Sequence, residues 1–374
     1  MRTSWPIVKL SEILEQRLEY ENIEANIKYK LVGVRLEGKG PFIREEKIGN
    51  EISAKKLNRL YEGDFIYSRL FAWRGAFGII TESLQGAYVS NEFPTFIINR
   101  NKLYPRFLEL YFNQKYIWDV VEIYCTGTTK ASRNRFKEKF FLEFEIPLPP
   151  IEEQKRIVEK INFIVKKVEE VRALREEAIK EAEEFFNSEL NKVMESIEGK
   201  IINFDEIFKI CSGKGLNQNQ RDESGSYKVY GSNGVIGFHT QYLVEYPTIV
   251  IGRKGSTGKL NMTDGPSWPI DTSYYVIPYD SINLKYLYYL LLSKKLDAIV
   301  ARSPKPGISS KDIYNIKVNY IQDINVQQQI VSYLDSLQDK IFELKKLQVE
   351  SEKEIEQLIP SILDKAFKGE LKNI

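Results

Sequence analysis

The chain has 374 residues, more than one hydrophobic core usually organises, so its length predicts two or three domains. Its content of 43% hydrophobic, 12% aromatic and 28% charged residues is that of a globular protein and excludes a disordered, collagen-like or fibrous chain. Basic residues stand 23 against 19 acidic over residues 1–150, 10 against 13 over 151–200, 14 against 10 over 201–320 and 7 against 10 over 321–374. The net charge of +2 therefore conceals two basic modules with acidic connectors.

Gly63-Asp64-Phe65-Ile66-Tyr67-Ser68-Arg69 is the first informative β-type run, and a Gly-containing turn with Arg74 follows it. Ser90 and Asn91 lie in Val89 to Phe93, ahead of the β-type run Thr95 to Ile98, and Arg106-Phe107-Leu108 starts a short helix. The densest basic stretch comes next: Lys130, Arg133, Arg135, Lys137 and Lys139, beside Thr126, Thr128, Thr129 and Ser132. That mixture of cations and hydroxyls suits phosphate contact. Pro147-Leu148-Pro149-Pro150 then opens Ile151 to Ser196, which lacks Pro and Gly and predicts one long helix. Its apolar positions Ile157, Ile161, Ile164, Val168 and Val171 step by 4, 3, 4 and 3, the spacing of a coiled-coil seam.

The second half repeats the first. Pro247-Thr248-Ile249-Val250-Ile251-Gly252-Arg253 matches the run ending at Arg69, Ile270-Asp271-Thr272-Ser273-Tyr274 matches Val89 to Phe93, and Lys285-Tyr286-Leu287 matches Arg106 to Leu108. Arg302 to Lys311, with Lys305 and Ser309, is a second basic, hydroxyl-rich stretch. Asn325 to Phe367 predicts a second long helix. A constant offset of 173 pairs Gln154 with Gln327, and the seam positions with Ile330, Leu334, Leu337, Ile341 and Leu344. In both helices the stepping loosens at one place, after Val171 and after Leu344, where Leu174 and Leu347 follow. Pro360 predicts a kink near the end of the second helix. The expected architecture is α+β: two similar mixed α/β modules joined by two long helices in an antiparallel coiled coil, with an internal pseudo-two-fold repeat. The boundaries read as residues 1–150, 151–199, 200–324 and 325–374.

Three features together resemble the specificity (S) subunit of type I restriction-modification enzymes. They are the junction Ile146 to Val158, the Gly-rich segments Tyr230-Gly231-Ser232-Asn233-Gly234 and Ile251 to Gly258, and the order domain, helix, domain, helix. At the second junction Tyr320 to Asn325 replaces the Pro-rich stretch of the first, a departure from the family pattern. The resemblance implies two target recognition domains, each reading half of a split double-stranded DNA sequence, with the helices setting the spacing. It implies two methyltransferase subunits as partners, and translocase and nuclease subunits for restriction. S-adenosylmethionine, ATP and Mg²⁺ belong to those partners, with no cofactor in this chain.

On this reading the DNA-facing residues are Arg69, Arg74, Ser90, Asn91, Lys130, Arg133 and Arg135 in the first half. In the second they are Arg253, Lys254, Ser256, Thr257, Lys259, Asp271, Thr272, Lys305 and Ser309. Arginine and lysine on turns can reach guanine edges or phosphates, and ordinary solvated charge is the plain alternative for each. Gly252 to Leu260 superficially matches a phosphate-binding P-loop, but its last Gly falls one place late and Leu260 replaces the hydroxyl residue that would hold Mg²⁺. No methyltransferase Asn/Asp-Pro-Pro-Tyr run, HExxH or nucleophile elbow is present, so no catalytic residue is expected. Cys125 and Cys211 form no metal-binding pair and His239 is the single histidine, which leaves no metal site to propose. Without a long apolar run or a signal pattern at Met1 to Leu10, a cytoplasmic location without membrane contact is expected. The competing class is a coiled-coil scaffold whose end domains bind protein or another ligand.

Overall fold

A computed structural model of the chain describes residues 5–127, 134–300 and 307–370. The chain divides into two compact units, Met1–Ala173 with Val349–Ile374, and Leu174–Gln348. The division runs across both long helices, Ile151–Ser196 and Ile324–Phe367, because each half-helix packs on the core of its own unit.

In the first unit a four-stranded antiparallel sheet has the order Leu14–Gln16, Thr95–Ile98, Phe65–Tyr67, Phe77–Ile79. Side chains alternate across a strand. Phe65 and Tyr67 accordingly enter the main core, whereas Ile66 joins a second cluster with Val32, Leu60 and Val89. Both faces being covered explains why this run is wholly buried and apolar. The main core is aromatic: Phe65 stacks on Phe141 with centroids 5.6 Å apart, and Tyr67 on Phe96 at 5.9 Å. Ile7–Lys9 pairs with Glu145–Pro147, which ties the start of the unit to the strand that enters the first long helix.

The second unit repeats this plan. Its four-stranded sheet has the order Phe208–Ser212, Ser273–Pro278, Ile249–Gly252, Leu260–Met262, and Lys200–Asn203 pairs with Lys317–Tyr320 just before the second long helix. The units differ in what is inserted. The first carries a five-stranded sheet ordered Tyr20–Asn22, Lys56–Arg59, Tyr88–Val89, Lys28–Val34, Pro41–Ile48, and the second a three-stranded sheet ordered Gly234–His239, Tyr227–Gly231, Ser267–Pro269. Pro41–Ile48 is an edge strand, and Arg44, Glu45, Glu46 and Lys47 keep it from pairing further. His239 ends the strand Gly234–His239, edge-on to Trp268.

Within the first unit Ile157, Val158 and Ile161 of one helix share a core with Ile362, Leu363, Ala366 and Phe367 of the other, and Arg172 bonds Glu352. Within the second, Phe186, Leu190 and Met194 face Ile330, Val331 and Leu334, and Glu183 pairs with Lys345. Both half-pairs are antiparallel. The expected seam is tight at the ends and open toward the middle. Ile157, Ile161, Val168, Ile330 and Leu334 are buried, Ile164, Leu337, Ile341 and Leu344 half-buried, and Val171 is 40% exposed. Ile157, Ile161, Ile330 and Leu334 belong to the domain cores, Ile164, Leu337 and Ile341 pack at the edges of those cores, and buried Val168 lies outside them. Leu174 and Leu347, where the stepping loosens, point largely to solvent. The second helix runs through Pro360 to Phe367.

Candidate nucleic-acid interface

In each unit one strand-to-strand connection carries an expected arginine and brings some of the other expected contact residues against it. In the second unit the loop between Ile249–Gly252 and Leu260–Met262 is closed by Gly252 N–H donating to Lys259 O at 2.8 Å and Gly258 N–H to Gly252 O at 2.8 Å. A side chain at Gly252 would overlap the Ser256 carbonyl, and Gly258 has φ +81°, so both positions require glycine. Arg253 N–H donates to Thr272 O at 2.9 Å, Lys254 N–H to the same oxygen at 3.2 Å, and Ile308 N–H to Arg253 O at 3.2 Å. Arg253, Thr272 and the segment entering Ser309 are thereby brought together. The Arg253 guanidinium lies over the Tyr274 ring at 5.3 Å. Lys254 and Ser256 are exposed and Thr257 half-exposed on the same loop.

The first unit repeats these bonds. Ser68 N–H donates to Ala76 O at 3.0 Å, Arg69 N–H to Glu92 O at 2.9 Å and Phe136 N–H to Arg69 O at 2.9 Å. Ser68 thus stands where Gly252 stands, Arg69 where Arg253 stands, and buried Phe136 where buried Ile308 stands. Glu92 falls at the place of Thr272, so the match of Val89 to Phe93 with Ile270 to Tyr274 is displaced by one residue. The strand pairing agrees, since Thr95 faces Ile66 and Tyr275 faces Val250. The turn before the strand is what a comparison of residue types misplaced. Ser90 is half-buried and Asn91 exposed beside this bond. Arg74 is on the same connection but leans toward another turn, where Glu37 N–H donates to Arg74 O at 2.9 Å.

Electrostatically the two loops differ. Arg69 is held by Glu138, with only 20% and 17% of the two side chains exposed. Burial opposes the guanidinium charge, and the Glu138 hydrogen bond and charge more than offset it, so Arg69 holds its proton more tightly than usual. Arg135 is gripped by Glu92 through Nε at 3.2 Å and a terminal nitrogen at 2.9 Å. Among the described residues Arg253 and Lys254 have no carboxylate partner.

Other expected contacts have local roles. Ser309 caps the helix Ser310–Tyr314 and donates its hydroxyl to Asp312 at 2.6 Å. Asp271 is exposed. Lys130, Arg133 and Lys305 lie outside the described residues. Three residues absent from the expected set bond to its members: Asn233, whose Oδ1 accepts from Lys259 Nζ at 2.6 Å, with Glu92 and Glu138. The Asn233-Gly234 turn was visible locally; nothing local links residue 92 to 135. Burial pushes the Cys125 thiol up to about 12, which keeps it protonated and unreactive. Among the described residues no helix is long and apolar enough to cross a membrane.

The family model described as the type I restriction modification DNA specificity domain matches residues 3–181 and 197–357. A curated protein, the type I restriction enzyme MjaVIII specificity subunit of Methanocaldococcus jannaschii, is 24% identical over 407 residues, spanning 96% of this chain and 92% of that protein. The fold is shared with the HsdS subunit from Thermoanaerobacter tengcongensis, at 23% identity and a TM-score of 0.64 over 99% of this chain and 98% of that one. It is also shared with a chain from a structure concerned with complex assembly and conformational transition of the type I R-M system, at 23% identity and a TM-score of 0.71 over 98% of both chains.

Proposed function

The chain belongs to the family of type I restriction modification DNA specificity domains, and from that premise we propose that each unit reads one half of a bipartite duplex DNA target. The observation that carries this reading is the repeated backbone frame around Arg69 and Arg253. The same three bonds present an arginine on the same connection in both units, while the inserted sheets and the carboxylates around it differ. A common frame with different side chains suits two different half-sites. Arginine is the side chain that reads guanine most often, and neighbouring lysines and hydroxyls position the phosphates.

The chain is a non-catalytic subunit on this proposal. It places two methyltransferase subunits, which supply S-adenosylmethionine chemistry on adenine, and restriction subunits supply ATP- and Mg²⁺-dependent cleavage. The long helices offer docking area for such partners: Phe163, Leu358, Phe185 and Phe342 are more than 40% exposed on them. Binding of the chain, assembled with a methyltransferase subunit, to a duplex carrying its target tests the reading. Affinity falls linearly on logarithmic axes as salt rises, with a slope of about −0.9 for each phosphate neutralised. Binding indifferent to salt would favour a protein-binding scaffold.

A further inference from the structure

Two glutamines that the repeat pairs, Gln154 and Gln327, are completely buried. Each sits in the first turns of a long helix and bonds to the module beside it. Gln154 Oε1 accepts from Tyr104 N–H at 2.8 Å, and its Nε2 donates to Lys102 O and to Pro149 O, both at 2.8 Å. Gln327 Oε1 accepts from Asn283 N–H at 2.9 Å, and its Nε2 donates to Ile321 O at 2.7 Å. Tyr104 and Asn283 are the residues just before the short helices Pro105–Phe112 and Leu284–Leu292. One side chain therefore joins the long helix, the strand end that enters it and the start of the module's own helix, at the same place in both units.

The buried helix positions that follow these glutamines are apolar. Ile157, Val158 and Ile161 follow on one helix, and Val331 and Leu334 on the other. Apolar contact is non-directional, so a helix can rotate or slide against such a core at modest cost. A buried amide cannot follow, because a small displacement leaves its donors or acceptor without water and without a partner. A single buried polar residue fixes register in coiled coils by the same reasoning.

We infer that Gln154 and Gln327 are positioning residues that fix the orientation of each recognition module on its long helix, and thereby the number of base pairs between the half-sites. The inference rests on the proposed reading of a bipartite target. It also carries an asymmetry. The second unit has further ties between the same two helices, Lys285 to Asp335 at 2.7 Å and Tyr289 Oη to Asp335 at 2.5 Å. The matching positions of the first unit are Arg106, Leu110 and Asn162, so no such carboxylate recurs there.

The test uses the full chain assembled with its methyltransferase subunits and a duplex library carrying both half-sites at every spacing from three base pairs below the native value to three above. Gln154→Met keeps the side chain's length and removes its hydrogen bonds. The expected result is methylation extending to spacings one base pair shorter and longer, with the half-site bases unchanged, and a smaller extension for Gln327→Met. An unaltered spacing profile, or methylation lowered equally at all spacings, overturns the inference. So does failure of both variants to fold, since the glutamines would then serve folding alone. If the unmodified complex methylates no bipartite site, it is the reading of function that fails, and the spacing role falls with it; a bipartite site with an unaltered profile in the variants overturns the role of the glutamines alone.

Discussion

Arg69 and Arg253 occupy one place in two loops, but only Arg69 is held by a carboxylate. Arg253→Ala is therefore expected to relax preference at one base pair, at a cost of about 1 to 3 kcal/mol against the preferred base. Its melting temperature should stay within error of the parent; competition binding with single-base variants and a thermal scan check the two parts. Arg69→Ala strips a largely buried Glu138 of its cation and should destabilise the fold by about 1 to 3 kcal/mol. Adding Glu138→Ala should restore part of that loss in denaturant unfolding. Equal melting temperatures for Arg69→Ala and the parent would contradict the half-buried pair. The equivalence of the two arginines was legible in the sequence because each ends an apolar run before a Gly-containing turn. Glu92 was not, because its place depends on a backbone bond across the turn and its partner Arg135 lies 43 residues on.

The long helices were legible over their whole length, since neither interior breaks the pattern except at Pro360. In their first halves the 4, 3 stepping marks the repeat. What the stepping could not reveal is the other half of each contact. Phe186, Leu190 and Met194 in one helix, and Ile362, Leu363, Ala366 and Phe367 in the other, lie against a domain core as well as a helix, so they form a broad face without the seam spacing. Burial then ranks the seam energetically. Leu334→Ala, at a fully buried site, should cost about 2 to 5 kcal/mol. Val171→Ala, 40% exposed, should change stability by no more than about 0.5 kcal/mol. Urea unfolding of the two variants compares them directly, and equal costs would mean the seam is uniform.

For the molecule as a whole, the repeat of the two halves was legible from the matched runs ending at Arg69 and Arg253, whereas the strand order of the four-stranded sheets and the inserted sheets were not. Residues 20–59 match no run of the second half; Lys28–Val34 and Pro41–Ile48 within them form a local hairpin, but Tyr20–Asn22 pairs with Lys56–Arg59 across a separation that no local pattern encodes. On the proposed function, the long helices set the distance between the half-sites. One heptad inserted at matching places in both keeps the seam in phase and adds roughly 10 Å, about three base pairs of duplex. Methylation mapping should then show a longer spacer between unchanged half-sites, and an active complex that keeps the original spacing would refute a spacing role for the helices. The most direct test of a split target read by two modules is a map of methylated adenines for the parent complex and for one whose residues 1–150 come from another member of the family. The account predicts one bipartite motif in which only one half changes on exchange; a motif altered in both halves, or in neither, would contradict it.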